Sequence, residues 1–306
     1  MKKQLLLYAT LLAVIFNAGA QKPDTARVMV HYKFIHLRDT TDRAHPYTEN
    51  MVLFVGKNAG AYWTYDGIVA DEQFKKAWAK AAASSPDGNV MINRRGGGGG
   101  LSTQYYQYPN EQKFFTKENL LFNDYWVEGP MPVIDWKISG DTASFGGLHC
   151  QQATGHFKGR DYIVWFCPDL PVHAGPWKLN GLPGVIVDAH DKKNEVVFKF
   201  DGVEKATARK SQPVGGVNAD EKSLPPILRG LDYDPNFIQP PASAIKTTEK
   251  EFDKLKLALR KNPEALAQSV RAGNNGQADA AKMDKAVNAP LPGPIINNPI
   301  ELPEKK

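Results

Sequence analysis

The chain has 306 residues, 42% of them hydrophobic, with 38 Lys and Arg against 33 Asp and Glu and a formal net charge of +5. That length supports one large or two modest domains with a proper core. The basic surplus is small and scattered instead of striped, which argues against a nucleic-acid partner.

Residues 1–20 place Lys2 and Lys3 before an apolar run from Leu5 to Phe16 and end in Ala18-Gly19-Ala20. This is the pattern of a cleaved secretory signal. The run is too short to span a bilayer, and no other stretch approaches the roughly 20 apolar residues a spanning helix needs. An exported chain, periplasmic or secreted and not membrane-spanning, is therefore expected. Its expected layout is an antiparallel β domain over residues 21–210, with a helical and glycine-rich insertion at 71–100, followed by a loop-rich extension over 211–306.

Residues 27–37 alternate Val28, Val30, Tyr32 and Phe34 against Met29, His31 and Lys33, the mark of a half-buried strand. Residues 51–55 and 61–65, joined through Gly56-Lys57-Asn58, predict a hairpin. His31 and His36 have opposite parity and so point to opposite faces of a regular strand. Helical spacing begins at Asp71 and continues to Ser84, with Phe74 and Trp78 on one face and Pro86-Asp87-Gly88 as the stop. Those two rings suit a stripe that docks on the sheet better than a ligand clamp.

Arg94-Arg95 before Gly96 to Gly100 lacks the Lys-Ser/Thr ending of a phosphate loop, so a flexible linker is expected. The aromatic cluster of Tyr105, Tyr106, Tyr108, Phe114, Phe115 and Trp126 resumes β character. Such rings can stack on a sugar or hold a lipid, although a packed sheet face is the commoner use. Trp63, Trp126 and Trp177 are the candidate ligand contacts. Residues 133–138, a turn at Ser139-Gly140-Asp141 and residues 143–150 continue the meander, and strands at 185–189 and 195–200 close it. Turns this frequent indicate an antiparallel sheet with neighbour-to-neighbour pairing. The fold class is thus mainly β: a curved antiparallel sheet, open as a half-barrel or bowl, with one or two peripheral helices.

Cys150 and Cys167 are the only cysteines. A two-residue Lys158-Gly159 turn between Phe157 and Arg160 sets them directly opposite each other, which makes a cross-strand disulfide geometrically reasonable. The alternative, a metal site from His149, Cys150, Cys167 and His173, has no recognised ligand spacing, so no metal is expected and nothing points to a cofactor. From His173 to Asp188, after the strand that ends at Cys167 and counting prolines back to Pro171, the sequence crowds glycines, prolines and Trp177 ahead of a β-branched run, which predicts a wrapped corner delivering a buried strand. Further on, Pro225-Pro226 and Pro240-Pro241 punctuate loops and Thr248-x-x-Glu251 forms a capping box for a helix over 248–271. Residues 272–294 have the composition of a disordered or extended segment. The more apolar residues 295–302 are expected to dock back on the body.

With these residues in view, the chain resembles the GLPGLI family of exported bacterial proteins, whose naming motif stands here as Gly181-Leu182-Pro183-Gly184-Val185-Ile186. The resemblance runs from VIDWKISGD at 133–141 through the corner to Asp188, and includes the 51–65 hairpin and Asn297-Asn298-Pro299-Ile300-Glu301-Leu302. It departs at Val185 and in the 71–100 insertion. The family implies no established activity. More distantly, the chain is similar to the bowl-shaped N-terminal domain of some secreted bacterial peptide-N-glycosidases, which implies a curved β scaffold in an accessory role. Gly181, Leu182, Pro183 and Gly184 have a structural reading, since glycine permits close approach and proline fixes the chain between.

The favoured function is a non-catalytic exported protein whose concave face holds a lipid or glycan or docks on a cell-envelope protein. A hydrolase built on Asp169, His173 and Asp188 is the alternative, but no serine or cysteine nucleophile accompanies them at a recognised spacing. A periplasmic lipid or lipoprotein carrier is a third reading.

Overall fold

The computed structural model describes residues 23–85, 103–120, 123–207, 234–241, 244–261 and 296–304. The expected leader, the Gly96 to Gly100 linker, the helix beyond residue 261 and the 272–294 segment lie outside those residues.

Two antiparallel meanders build one twelve-stranded sheet. The first comprises β2 (Val28–His36), β3 (Tyr47–Val55), β4 (Gly60–Thr64), β5 (Gln104–Tyr108), β6 (Lys113–Leu120) and β7 (Asn123–Pro130). The second comprises β8 (Lys137–Phe145), β9 (Leu148–Phe157), β10 (Arg160–Cys167), β11 (Val185–Asp191) and β12 (Val196–Lys205). Neighbour-to-neighbour pairing holds within each meander but not between them. The join is β2 against β12, which leaves β7 and β8 ten positions apart near opposite ends of the sheet. A short β14 (Ile245–Thr248) adds in parallel outside β7 and leads into α2 (Glu249–Lys261). A separate two-stranded ribbon pairs β1 (Asp24–Thr25) with β13 (Phe237–Ile238).

That order dictates curvature. Ten strand spacings on a flat sheet span about 48 Å, whereas residues 131–136 can carry the chain only about 25 Å from β7 to β8. The sheet therefore curls until its ends approach, without closing into a barrel. Phe145 on β8 consequently lies 5.5 Å from Phe200 on β12, four strands away in the order.

Alternation along β2 buries Val30, Tyr32, Phe34 and His36 on the inner face. Val30, Tyr32 and Phe34 form the larger core with Met51, Leu53, Tyr62 and Phe198. The outer face carries a second core of Val52, Phe54, Trp63, Tyr106, Phe115 and Trp126, covered in part by Ile68 of α1 (Tyr65–Ala83). Phe74 is buried as the docking stripe requires, and Trp78 is half-buried.

Two boundaries differ from expectation. The helix begins at Tyr65 instead of Asp71, because the Thr64 hydroxyl accepts the Gly67 amide at 3.1 Å and caps the chain as soon as β4 ends. Ser139-Gly140-Asp141 is not a turn: β8 runs through it as a bulge, with a register shift between Ile138 and Thr142. Residues 133–136 are accordingly a connector and not a strand. The turn falls at Gly146 and Gly147, whose φ values of 56° and 86° supply the two left-handed residues of a tight hairpin.

The β9–β10 hairpin has the expected register, from Arg160 opposite Phe157 to Phe166 opposite Gln151. Cys150 and Cys167 are disulfide-bonded, with Cα atoms 4.1 Å apart.

After Cys167 the chain turns inward, and residues 168–184 lie inside the curl. Val172, Ala174, Trp177, Leu179 and Leu182 are buried there. Backbone bonds from Val185 to Leu170 (3.1 Å) and from Ile186 to Ala174 (2.9 Å) fix the corner to the strand it delivers. Gly184 is the point of closest approach, since a Cβ there would lie 2.4 Å from the Cys167 carbonyl oxygen. Gly184→Ala should therefore destabilise the protein by about 1–3 kcal/mol in urea unfolding. Gly140→Ala, where a Cβ meets nothing within 4 Å, should change it by less than about 0.5 kcal/mol.

Candidate functional site

Inside the curl, between the sheet, the corner and the C-terminal residues, lies a cavity of about 300 Å³. Alternate positions of β2, β4, β5 and β12 project Phe34, Tyr62, Tyr105 and Phe198 into it, and the corner contributes Trp177. Trp177 stacks on Phe198 with centroids 6.4 Å apart and planes 14° from parallel, and Phe198 stacks in turn on Phe34 at 5.1 Å. Tyr62 meets Phe198 edge-on at 6.2 Å.

Trp177 is held with φ at 54°, a left-handed conformation that bulky residues rarely adopt. The restraint comes from Gln107, wholly buried on β5. Its amide nitrogen donates to the carbonyls of Gly175 (3.0 Å) and Trp177 (2.9 Å), and its oxygen accepts the Gly175 amide at 3.1 Å. Backbone strain kept by surrounding structure tends to mark functional positions.

The remaining wall is the strap of residues 296–304, which supplies Ile296, Pro299 and Ile300. Buried Arg160 binds the strap in place. Its guanidinium donates to Asp191 (2.7 Å), the Asn298 side chain (2.8 Å) and the carbonyls of Pro299 (2.7 Å) and Ile300 (2.9 Å). Asn298 is buried as well and donates to the Leu37 carbonyl at 2.7 Å, while its own carbonyl accepts from His36 Nε2 at 2.8 Å. Desolvation, aided by the positive charges of Arg38 and Arg160, lowers the His36 pKa against the pull of that carbonyl. The ring is consequently neutral at pH 7, with its proton on the nitrogen that faces Asn298.

Polar groups at the cavity are few. Arg38 stands at its edge, the guanidinium carbon 3.3 Å from the centroid of Tyr47, whose hydroxyl donates to Glu49. The Tyr62 hydroxyl is buried without a hydrogen-bond partner. A larger cavity of about 360 Å³ lies between α2 and the face of β6 and β7. Its lysines are engaged already, Lys178 and Lys158 with Glu301 at 2.6 and 3.4 Å and Lys256 with Asp253 at 2.9 Å, so the aromatic cavity is the stronger candidate.

The residues singled out in the sequence scatter across the fold. Trp177 lines the cavity, whereas Trp63 and Trp126 are 4% and 2% exposed in the outer core. Asp169 accepts the His149 amide at 2.8 Å and its ring at 3.2 Å, bonds that hold its carboxyl below the usual range. Asp188 accepts the Phe200 amide at 2.9 Å, and burial pushes its carboxyl up. His173 is exposed. No hydrogen bond joins these three among the described residues, nor do three His, Cys, Asp or Glu side chains converge there as metal ligands. Gln107 and Arg160, which hold the two loops that wall the cavity, gave no signal beyond a polar residue at a strand position.

No family model and no curated protein matches the chain. Among solved structures it is similar to PNGF-II in C2 and P21 crystal forms, at 10% identity and TM-scores of 0.45 and 0.44. The likeness covers 75% of this chain and 32% of those chains, so the chain spans about a third of their length.

Two outcomes follow for the strap. Arg160→Met leaves Asp191 buried without its cation, and should cost about 3–5 kcal/mol in unfolding free energy and release the Leu302 amide, bonded to the Lys158 carbonyl, to hydrogen exchange. At the strap's far end His156 bridges Asp161 (2.7 Å) and Glu304 (2.8 Å), and these bonds raise the histidine pKa and lower that of Glu304. The histidine's contribution is complete below its ordinary value of 6.5 and fades as pH rises through the raised one. The carboxylate's is complete above its ordinary 4.5 and fades as pH falls through the lowered one. Protection of Leu302, corrected for intrinsic exchange, should therefore peak between pH 4.5 and 6.5, and His156→Gln should flatten the alkaline side.

Proposed function

We propose that this chain is an exported, non-catalytic binding or accessory protein of the bacterial cell envelope, of the GLPGLI kind, that holds a small ligand in the aromatic cavity of its concave face. The observation that carries this reading is the cavity itself: about 300 Å³ walled by five aromatic rings, with a buried hydroxyl left unpartnered. That volume falls at the lower end of small-molecule sites. It favours one compact ligand over a two-chain lipid, and therefore binding over bulk lipid carriage. A disulfide between Cys150 and Cys167 is compatible with export, as is the lack of any helix long and apolar enough to cross a membrane among the described residues. The hydrolase reading has less support, because Asp169 and Asp188 both accept backbone amides in place of facing a shared nucleophile.

Native mass spectrometry on protein purified gently from its own envelope should show a co-purifying mass. Ile296→Trp, at a half-exposed position on the cavity wall, should remove that mass without loss of fold. Ligand-free spectra from both proteins would count against a tight-binding role.

A further inference from the structure

We propose that the cavity's ligand is a small apolar carboxylate, its hydrocarbon body against the aromatic rings and its anionic end at Arg38. This rests on the binding reading above and names the chemistry of that site.

The rings set the body. Trp177 and Phe34 stack on Phe198 at 6.4 and 5.1 Å to form one aromatic wall, and Ile296, Pro299 and Ile300 add hydrocarbon to the lining. An apolar group gains most from such walls.

Charge sets the end. Arg38 is the one ionised side chain among the lining residues, for His36 is kept neutral and has committed its proton to Asn298. Glu49 points to the same face, but its carboxylate accepts the Tyr47 hydroxyl and does not line the cavity. The Glu49–Tyr47 bond fixes the ring on which Arg38 rests, so the guanidinium is held at the edge instead of sweeping through solvent. A cationic ligand would meet Arg38 as a like charge, and a neutral one would forgo its charge-assisted bond.

Calorimetric titration of the full chain with naphthalene-2-carboxylate and, separately, naphthalene-2-methanol tests the assignment with one ring and two end groups. The acid should bind at least about tenfold more tightly, in keeping with a charge-assisted contact, and raised salt should weaken the acid alone. Arg38→Gln should lower acid affinity by about tenfold and leave the alcohol unchanged. Ile296→Trp should abolish both. Equal binding of acid and alcohol, with no salt dependence, would overturn the carboxylate assignment and leave the apolar pocket standing. Absence of binding by either would overturn the pocket reading too. Should Arg38→Gln fail to fold, the salt comparison on the unmodified protein decides.

Discussion

A sheet that curls until so short a segment as residues 131–136 can join its ends has a concave face that strand side chains alone cannot fill. Everything else inside the protein answers that constraint. The corner of residues 168–184 enters the curl and buries Trp177, Leu179 and Leu182 against Tyr32, Tyr62 and Phe198. The strap of residues 296–304 then crosses the remaining opening. What the two leave against the strand side chains Phe34, Tyr62, Tyr105 and Phe198 is the aromatic cavity. Substitutions in the corner and the strap therefore reshape it as well as those on the strands.

Each loop is clamped by a buried polar side chain from the sheet, and the strap has His36 and His156 as further partners. Gln107 clamps the corner through the two backbone units around Trp177, and Arg160 clamps the strap through Asn298 and two carbonyls. Both are buried, where a hydrogen bond is stronger than in water and an unmade one is costly. Arg160 is the more demanding of the two because its charge must be balanced. Asp191 balances it while also accepting the amides of Glu195 and Val196 at 2.6 and 3.0 Å, which ties the strap to the turn that starts β12. Strand register, strap position and cavity wall are thereby coupled through one guanidinium.

Much of this was legible in local chemistry. The alternation of Val28 to Phe34 gave the inner face of β2, and the Lys158-Gly159 turn gave the register that brings Cys150 to Cys167. Thr248 and Glu251 form the capping box their spacing announced, each bonding the other's amide. Errors arose where tertiary context overrode a local signal. Ser139-Gly140-Asp141 has turn chemistry, yet at an edge strand the sheet absorbs it as a bulge, with Gln151 donating to the Ser139 carbonyl at 2.7 Å. Long-range choices left no mark. Nothing in β2 or β12 announces that they pair across the whole domain, and the tryptophans could not be sorted into core and cavity before the curl was known. The cavity was legible only as an excess of aromatic residues, because the parity that exposes Tyr105 inward and Tyr106 outward has no meaning until the faces are assigned.

The coupling also explains why ligand occupancy and strap docking should not be independent. Ile296, Pro299 and Ile300 wall the cavity, and the same segment carries the Asn298, Pro299 and Ile300 oxygens that satisfy Arg160. A ligand packed against those side chains adds contacts that only the docked strap offers, so by linkage it favours docking by as much as docking favours it. The His156–Glu304 bridge lies beyond these contacts on the exposed end of the same segment. Its titration acts on the strap's end and not on the residues that wall the cavity, which Arg160 and His36 hold through Asn298, Pro299 and Ile300.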